Sequence, residues 1–157
     1  MISDITIDTN VLMHANNSQI EHRVSSIQTI NAMLDSETML CVDEGFSSIE
    51  SKNRSSIGSE YLNNLQHGML GFALITHLVN DERIKIVSKK TGTSVLRYIN
   101  QKVINKKDRI FIRVTYNSDE KVLVSHDFEH FHENNRQSFN RDYNIKILIA
   151  KDVIGMF

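Results

Sequence analysis

At 157 residues the chain is long enough for one domain that buries roughly 70% of its unfolded surface, so it needs no disulfide or metal staple. A single cysteine excludes an internal disulfide framework, and no apolar run approaches the ~18 residues of a membrane span. With no signal pattern at the N-terminus, the expectation is a soluble cytoplasmic protein of one domain, residues 1–157.

The formal net charge of −1 hides an uneven distribution. Residues 1–82 carry 11 acids against 3 Lys+Arg, and residues 114–157 carry 7 against 5. Residues 83–113 carry 10 bases (Arg83, Lys85, Lys89, Lys90, Arg97, Lys102, Lys106, Lys107, Arg109, Arg113) and one acid, Asp108. Such a run is either a solvated helix face or a surface for phosphate.

In chain order, ITID (5–8) reads as a strand that ends on a carboxylate. Residues 18–35 follow with helical spacing, and Ser18 with Glu21 forms an S-x-x-E capping box. TMLCV (38–42) is a second short strand, with Cys41 as a buried thiol. The polar stretch 43–59 is too long for an ordinary connection, and such loops are often functional. Residues 59–80 predict two helices broken near Gly68 or Gly71. IKIV (84–87) is a third strand, and residues 91–104 and 106–117 are two more helices. KVLV (121–124) is a fourth strand, residues 127–139 are helical, IKILI (145–149) is a fifth strand, and a short helix ends the chain. Short strands that are apolar throughout, alternating with helices, imply an α/β fold with a five-stranded parallel sheet covered on both faces.

Ligands of such sheets bind beyond the carboxyl ends of the strands. Asp8, Asp43 and Asp127 follow strands one, two and four, so the expectation is that they converge on one edge. Each has an ordinary explanation alone: Asp8 and Asp127 as helix caps, Asp43 as a turn residue, and Asp108 as the acid of a helix start at Asn105. As a set they are costly, since two carboxylates at about 5 Å and an effective dielectric near 20 repel by roughly 3 kcal/mol. A divalent cation removes that cost, and all-oxygen ligands suit Mg²⁺ or Mn²⁺ rather than zinc. The histidines of HDFEHFH (126–132) have no cysteine partners and read as a solvated helix. There is no P-loop, no dinucleotide fingerprint and no G-x-S-x-G elbow.

IDTNVL near the N-terminus and KKDRIFIRVTYNSDEKVLVSHDFEHF toward the C-terminus resemble the first and last motifs of PIN-domain ribonucleases. CVDEGF followed by IGSEYLNNL resembles the middle of a bacterial PIN-like subgroup, with a longer loop before its acid. The resemblance implies a PIN-like three-layer α/β/α sandwich. It implies a catalytic and metal-holding set of Asp8, Glu60, Asp108 and Asp127, with Asp43, Glu44 and Glu50 as rivals to Glu60. Asn10 and Ser125 match polar positions that orient the acids, with Asp43 as a further auxiliary acid. The implied activity is hydrolysis of RNA phosphodiester bonds, or of structured DNA, with Mg²⁺ or Mn²⁺. Lys89, Lys90, Lys106, Lys107 and Arg109 would then hold the phosphate backbone. A toxin paired with an antitoxin, an antiviral effector and a homodimer all fit this expectation. The alternative is a PIN-like module that binds nucleic acid or a protein partner without cutting. A phosphatase of another α/β family would want an acid where Asn10 stands.

Overall fold

The computed structural model describes residues 1–157. Five strands, β1 (Asp4–Ile7), β2 (Met39–Val42), β3 (Ile84–Ile86), β4 (Val122–Val124) and β5 (Lys146–Leu148), form one sheet in the order β3-β2-β1-β4-β5. Every neighbouring pair is parallel. The helices are α1 (Thr9–His14), α2 (Arg23–Leu34), α3 (Ser56–Asn64), α4 (Leu70–Asn80), α5 (Thr93–Lys102), α6 (Lys106–Asn117), α7 (Glu133–Tyr143) and α8 (Ala150–Val153). They cover the sheet as an α/β/α sandwich: α6 lies across β1, β2 and β4 with α5 beside it, while α2 packs on α1, α4 and α8. The α/β class with an all-parallel five-stranded sheet is the one read from the sequence.

The three inner strands are short and buried almost throughout, as a sheet covered on both faces requires. Their side chains join one core of 33 buried apolar residues. Connections from β1 lead outward to β2 and β3, whereas β4 and β5 lie on the other side of β1. The chain therefore changes direction between β1 and β4, and the loops leaving these two strands part to leave a crevice. Asp8 and Ser125 are the first residues beyond those strands.

Helix starts differ from the sequence expectation in three places, the smallest being α3, which opens at Ser56 rather than 59. The Ser18–Glu21 box does not open a helix: α2 begins at Arg23, behind His22, and residues 18–22 form turns. Another is α7, which begins only at Glu133, capped by the His132 side chain, so residues 127–132 form a turn. Gly68 and Gly71 divide the two roles considered for them. Gly68 takes φ +91° and breaks the helical run. Gly71 lets α4 approach α1, where a Cβ would come within 2.8 Å of the Leu12 Cβ. The long polar stretch is pinned from within: Asn53 accepts from the Ser47 and Ser55 N–H groups and donates to the Ser55 carbonyl and Ser59 Oγ. No helix is long and apolar enough to cross a membrane.

Candidate metal centre

Asp8 leaves β1 in an extended conformation and caps α1, accepting from the Asn10 N–H at 3.4 Å. Its other oxygen accepts from Asn10 Nδ2 at 3.0 Å and Ser125 Oγ at 2.7 Å. The cap expected of this residue is therefore realised, and its charge acts on Asp108 while that of Asp127 acts on it. Asn10 Oδ1 takes the His126 N–H at 3.1 Å, and Ser125 Oγ takes the Asp127 N–H at 3.1 Å. Asn10 and Ser125 thus tie the end of β1 to the end of β4 and fix the Asp8 carboxylate between them.

Asp127 turns the chain after β4. Its Oδ1 accepts from the N–H groups of Glu129 and His130, at 3.0 and 2.9 Å. Its Oδ2 meets His130 Nδ1 at 2.6 Å. Asp108 reaches the same place from the first turn of α6, which Asn105 caps. His130 Nδ1 also lies 2.9 Å from Asp108 Oδ2. A ring nitrogen carries one hydrogen, and this one goes to the closer Asp127. Asp108 Oδ2 is left buried with no hydrogen-bond partner.

Asp108, Asp127 and His130 each offer a ligand atom within 4.8 Å of the others, and together they could hold a metal ion. His130 corrects the expectation of a solvated helix at 126–132, because the turn directs its ring back over Asp127. The sequence reading weighed the histidines without Asp127, and so did not use the Asp127-x-x-His130 spacing that the turn brings together.

Electrostatics separate these acids from ordinary ones. Burial, reinforced by the charges of Asp8 and Asp127, pushes the Asp108 carboxyl up to about 7; His130 opposes the rise and Glu60 adds to it. Burial also pushes Asp8 up to about 6, with the Asp127 charge assisting and the bonds from Ser125 and Asn10 resisting. The hydrogen bond it donates to Asp127 raises His130 above the ordinary histidine value, which favours an imidazolium among the acids.

Glu60 stands on α3 outside the group of ligand atoms, close enough for its charge to reach Asp108, with 23% of its side chain exposed and Lys107 Nζ at 3.4 Å. Asp43 does not join them. It is fully buried, accepts from Ser55 Oγ and the N–H groups of Ser56 and Ile57 at the start of α3, and pairs with Lys89. Glu44 accepts the Lys89 N–H, and Glu50 lies in the 3-10 turn Glu50–Lys52.

Half of the basic run is committed inside the fold. Arg83 is buried and bonds the carbonyls of Met33, Leu34 and Thr38. Lys85 pairs with Asp4 and Asp119. Lys89, expected on the phosphate surface, holds Asp43. Arg109, expected there too, donates to the carbonyls of Asn100, Val103 and Ile104 at the end of α5, while Arg113 bonds the Lys89 carbonyl. Lys90, Lys106 and Lys107 are exposed. The latter two line a cavity of about 210 Å³ with Ser56, Glu60 and the apolar Ile57, Ile110 and Phe111.

Behind the acids lies a histidine group that the sequence reading did not separate from the surface. The Ala150 N–H donates to His126 Nε2, so a neutral His126 carries its proton on Nδ1 and gives it to His14 Nδ1 at 2.8 Å. The His22 ring stacks on His126 at 4.2 Å between centroids. Burial first, then the neighbouring His22 and His14, hold His126 down at about 3. His126 is a neutral strut whose own N–H steadies Asn10.

Neither the models of known protein families nor the curated proteins contain a match to this chain.

Proposed function

We propose that the chain is a metal-dependent, PIN-like endoribonuclease that hydrolyses RNA phosphodiester bonds. The observation that carries the proposal is Asp108 Oδ2, a buried carboxylate oxygen without a hydrogen bond, among Asp8, Asp127 and Glu60. Buried carboxylate oxygens ordinarily have partners, and an exception calls for an explanation such as an ion. A donor set dominated by carboxylate oxygens fits Mg²⁺ or Mn²⁺, and the His130 imidazole favours Mn²⁺ of the two.

Asp8, Asp108 and Asp127 would hold the cation, with Glu60 completing the set. Bound there, it would supply the positive charge that acidifies a water and neutralises the charge on the reacting phosphoryl group. The chain's own residues do the rest. Ser125 and Asn10 orient Asp8, and the Asn105 cap places Asp108 at the start of α6. Lys106 and Lys107, next to Asp108 in the chain, would hold backbone phosphates whatever the sequence of the RNA. His130 neutralises Asp127 when no cation is bound and must give up its proton or turn away when one enters.

One observation favours the competing reading of a binding module that does not cut: His130 already bridges Asp108 and Asp127. Cleavage decides between them. The purified protein should cut an RNA pool in Mg²⁺ or Mn²⁺, stop in EDTA and stop with Asp127→Asn. Cleavage that persists in EDTA, or in the variant, removes the metal mechanism. No cleavage in either metal, with RNA still bound, favours the module.

A further inference from the structure

Phe128, the residue after Asp127, is 47% exposed and is the one aromatic among the large apolar side chains that face solvent. The Phe111, Phe131, Phe139 and Tyr61 rings are in the core. Phe128 is nevertheless held rather than loose. The Arg136 guanidinium lies 4.2 Å from the centre of its ring. That guanidinium is itself fixed, since Arg136 is buried and donates to the carbonyls of Ser125, Asp127, Phe131 and Ile147. The Asp127 carboxylate closes the turn that carries the ring. A flat apolar surface is thus backed by an immobile cation and opens to water one residue after Asp127 in the chain. An exposed aromatic side chain buries nothing for the fold on its open side, whereas a base from an unpaired strand can cover it. Nucleobases of single strands stack on such rings irrespective of sequence, while bases inside a duplex already have partners.

We propose that Phe128 is a stacking platform for an unpaired nucleobase next to the reacting phosphate. The position beside the reacting phosphate rests on the nuclease reading, but stacking itself does not. Arg136 contributes by fixing the ring and by drawing electron density at its covered face. Lys106 and Lys107, adjoining Asp108 in the chain, would hold the backbone of the same strand.

The test uses the full chain in EDTA, where binding is read without cleavage. The probe is a short single-stranded RNA carrying 2-aminopurine, whose fluorescence falls when the base stacks. Wild type should quench the probe, and the same base within a duplex should be quenched far less. Phe128→Leu keeps an apolar side chain over Arg136 but removes the ring, so it should keep the wild-type melting temperature. It should lose the quench and weaken single-strand binding by roughly fivefold to a hundredfold. Phe128→Tyr should restore both. If Phe128→Leu binds and quenches like wild type, or if duplex binds as tightly as single strand, the platform is overturned even where wild type cuts RNA in Mn²⁺. If the quench depends on the ring but no cleavage occurs in Mn²⁺, the platform stands and the nuclease reading falls. If wild type binds no single-stranded RNA, the platform is wrong outright.

Discussion

Asp4 opens β1 and Asp8 follows its last residue, so one short strand carries two buried carboxylates about as far apart as the strand is long. Burial alone would raise both. At Asp4 that effect is outweighed by the Lys85 ammonium and by the N–H groups of Glu120 and Asp119, and the carboxyl ends below its ordinary value. At Asp8 no cation answers the burial, Asp127 adds a like charge, and the carboxyl is pushed up to about 6. Asp43 belongs with Asp4: burial would raise it, but Ser55, the α3 N-terminus and Lys89 together bring it down. Three strand-associated aspartates are alike in sequence, yet the fold gives two of them a lysine and the third, Asp8, hydrogen bonds alone. On the proposed reading, what separates Asp8 from Asp4 and Asp43 is not burial but whether a cation of the chain answers its charge.

The comparison breaks most visibly in activity. Asp8→Asn should cost cleavage roughly 10²–10³-fold, as expected for losing one group that stabilises developing charge. The amide keeps the cap on α1, so the variant should fold. Asp4→Asn should do the reverse: cleavage per folded molecule unchanged, and stability lower by on the order of 2 kcal/mol, because Lys85 keeps only the exposed Asp119. Urea unfolding alongside the cleavage assay separates the two. Equal activity losses in both variants would erase the distinction.

Stability against pH sharpens it. Asp8 and Asp108 hold protons in the folded chain up to about 6 and about 7, whereas in the unfolded chain they release them near the usual ~3.9. The folded state therefore binds more protons across that window, so these acids make metal-free stability fall as pH rises from about 4 to about 7. Asp4 works oppositely, contributing stability above the unfolded carboxylate value that is lost as the pH falls through its lowered one. Asp108→Asn in EDTA at pH 8 should be more stable than wild type, on the order of 1–2 kcal/mol, and should flatten the decline. A variant less stable than wild type under those conditions would mean that the His130 contact outweighs the burial and like charges at Asp108.

The smallest effect concerns the bases, which divide as the acids do. Lys106→Ala with Lys107→Ala should reduce the log–log salt slope of RNA binding by about one to two. Arg109→Ala should leave the slope unchanged and lower stability by about 1 kcal/mol, since its guanidinium serves carbonyls at the end of α5. Filter binding over a salt series reads the first effect and thermal unfolding the second.

These divisions show why some of the molecule was legible in the sequence and some was not. The strands were, because runs such as MLCV and VLV have no polar face and belong in a sheet covered on both sides. Asp8 and Asp127 were, because strand ends are set by the same runs. Helix starts at Arg23 and Glu133 were not: Ser18 has the residue type of a cap, but tertiary packing decides which cap is used. Asp43 and Lys89 were misplaced because their partners lie 46 residues apart and composition does not reveal pairing. His130 was missed because helical spacing was assumed where Asp127 closes a turn.

On the proposed reading, Asp8, Asp108 and Asp127 await a divalent cation. Anomalous diffraction from a crystal soaked in Mn²⁺ tests it most directly. A peak is expected among these carboxylates, roughly 2.1 Å from the oxygens it touches and including Asp108 Oδ2, with His130 either displaced from Asp127 or itself a ligand. Saturating Mn²⁺ with no peak there, and His130 still bridging Asp108 and Asp127, would contradict it.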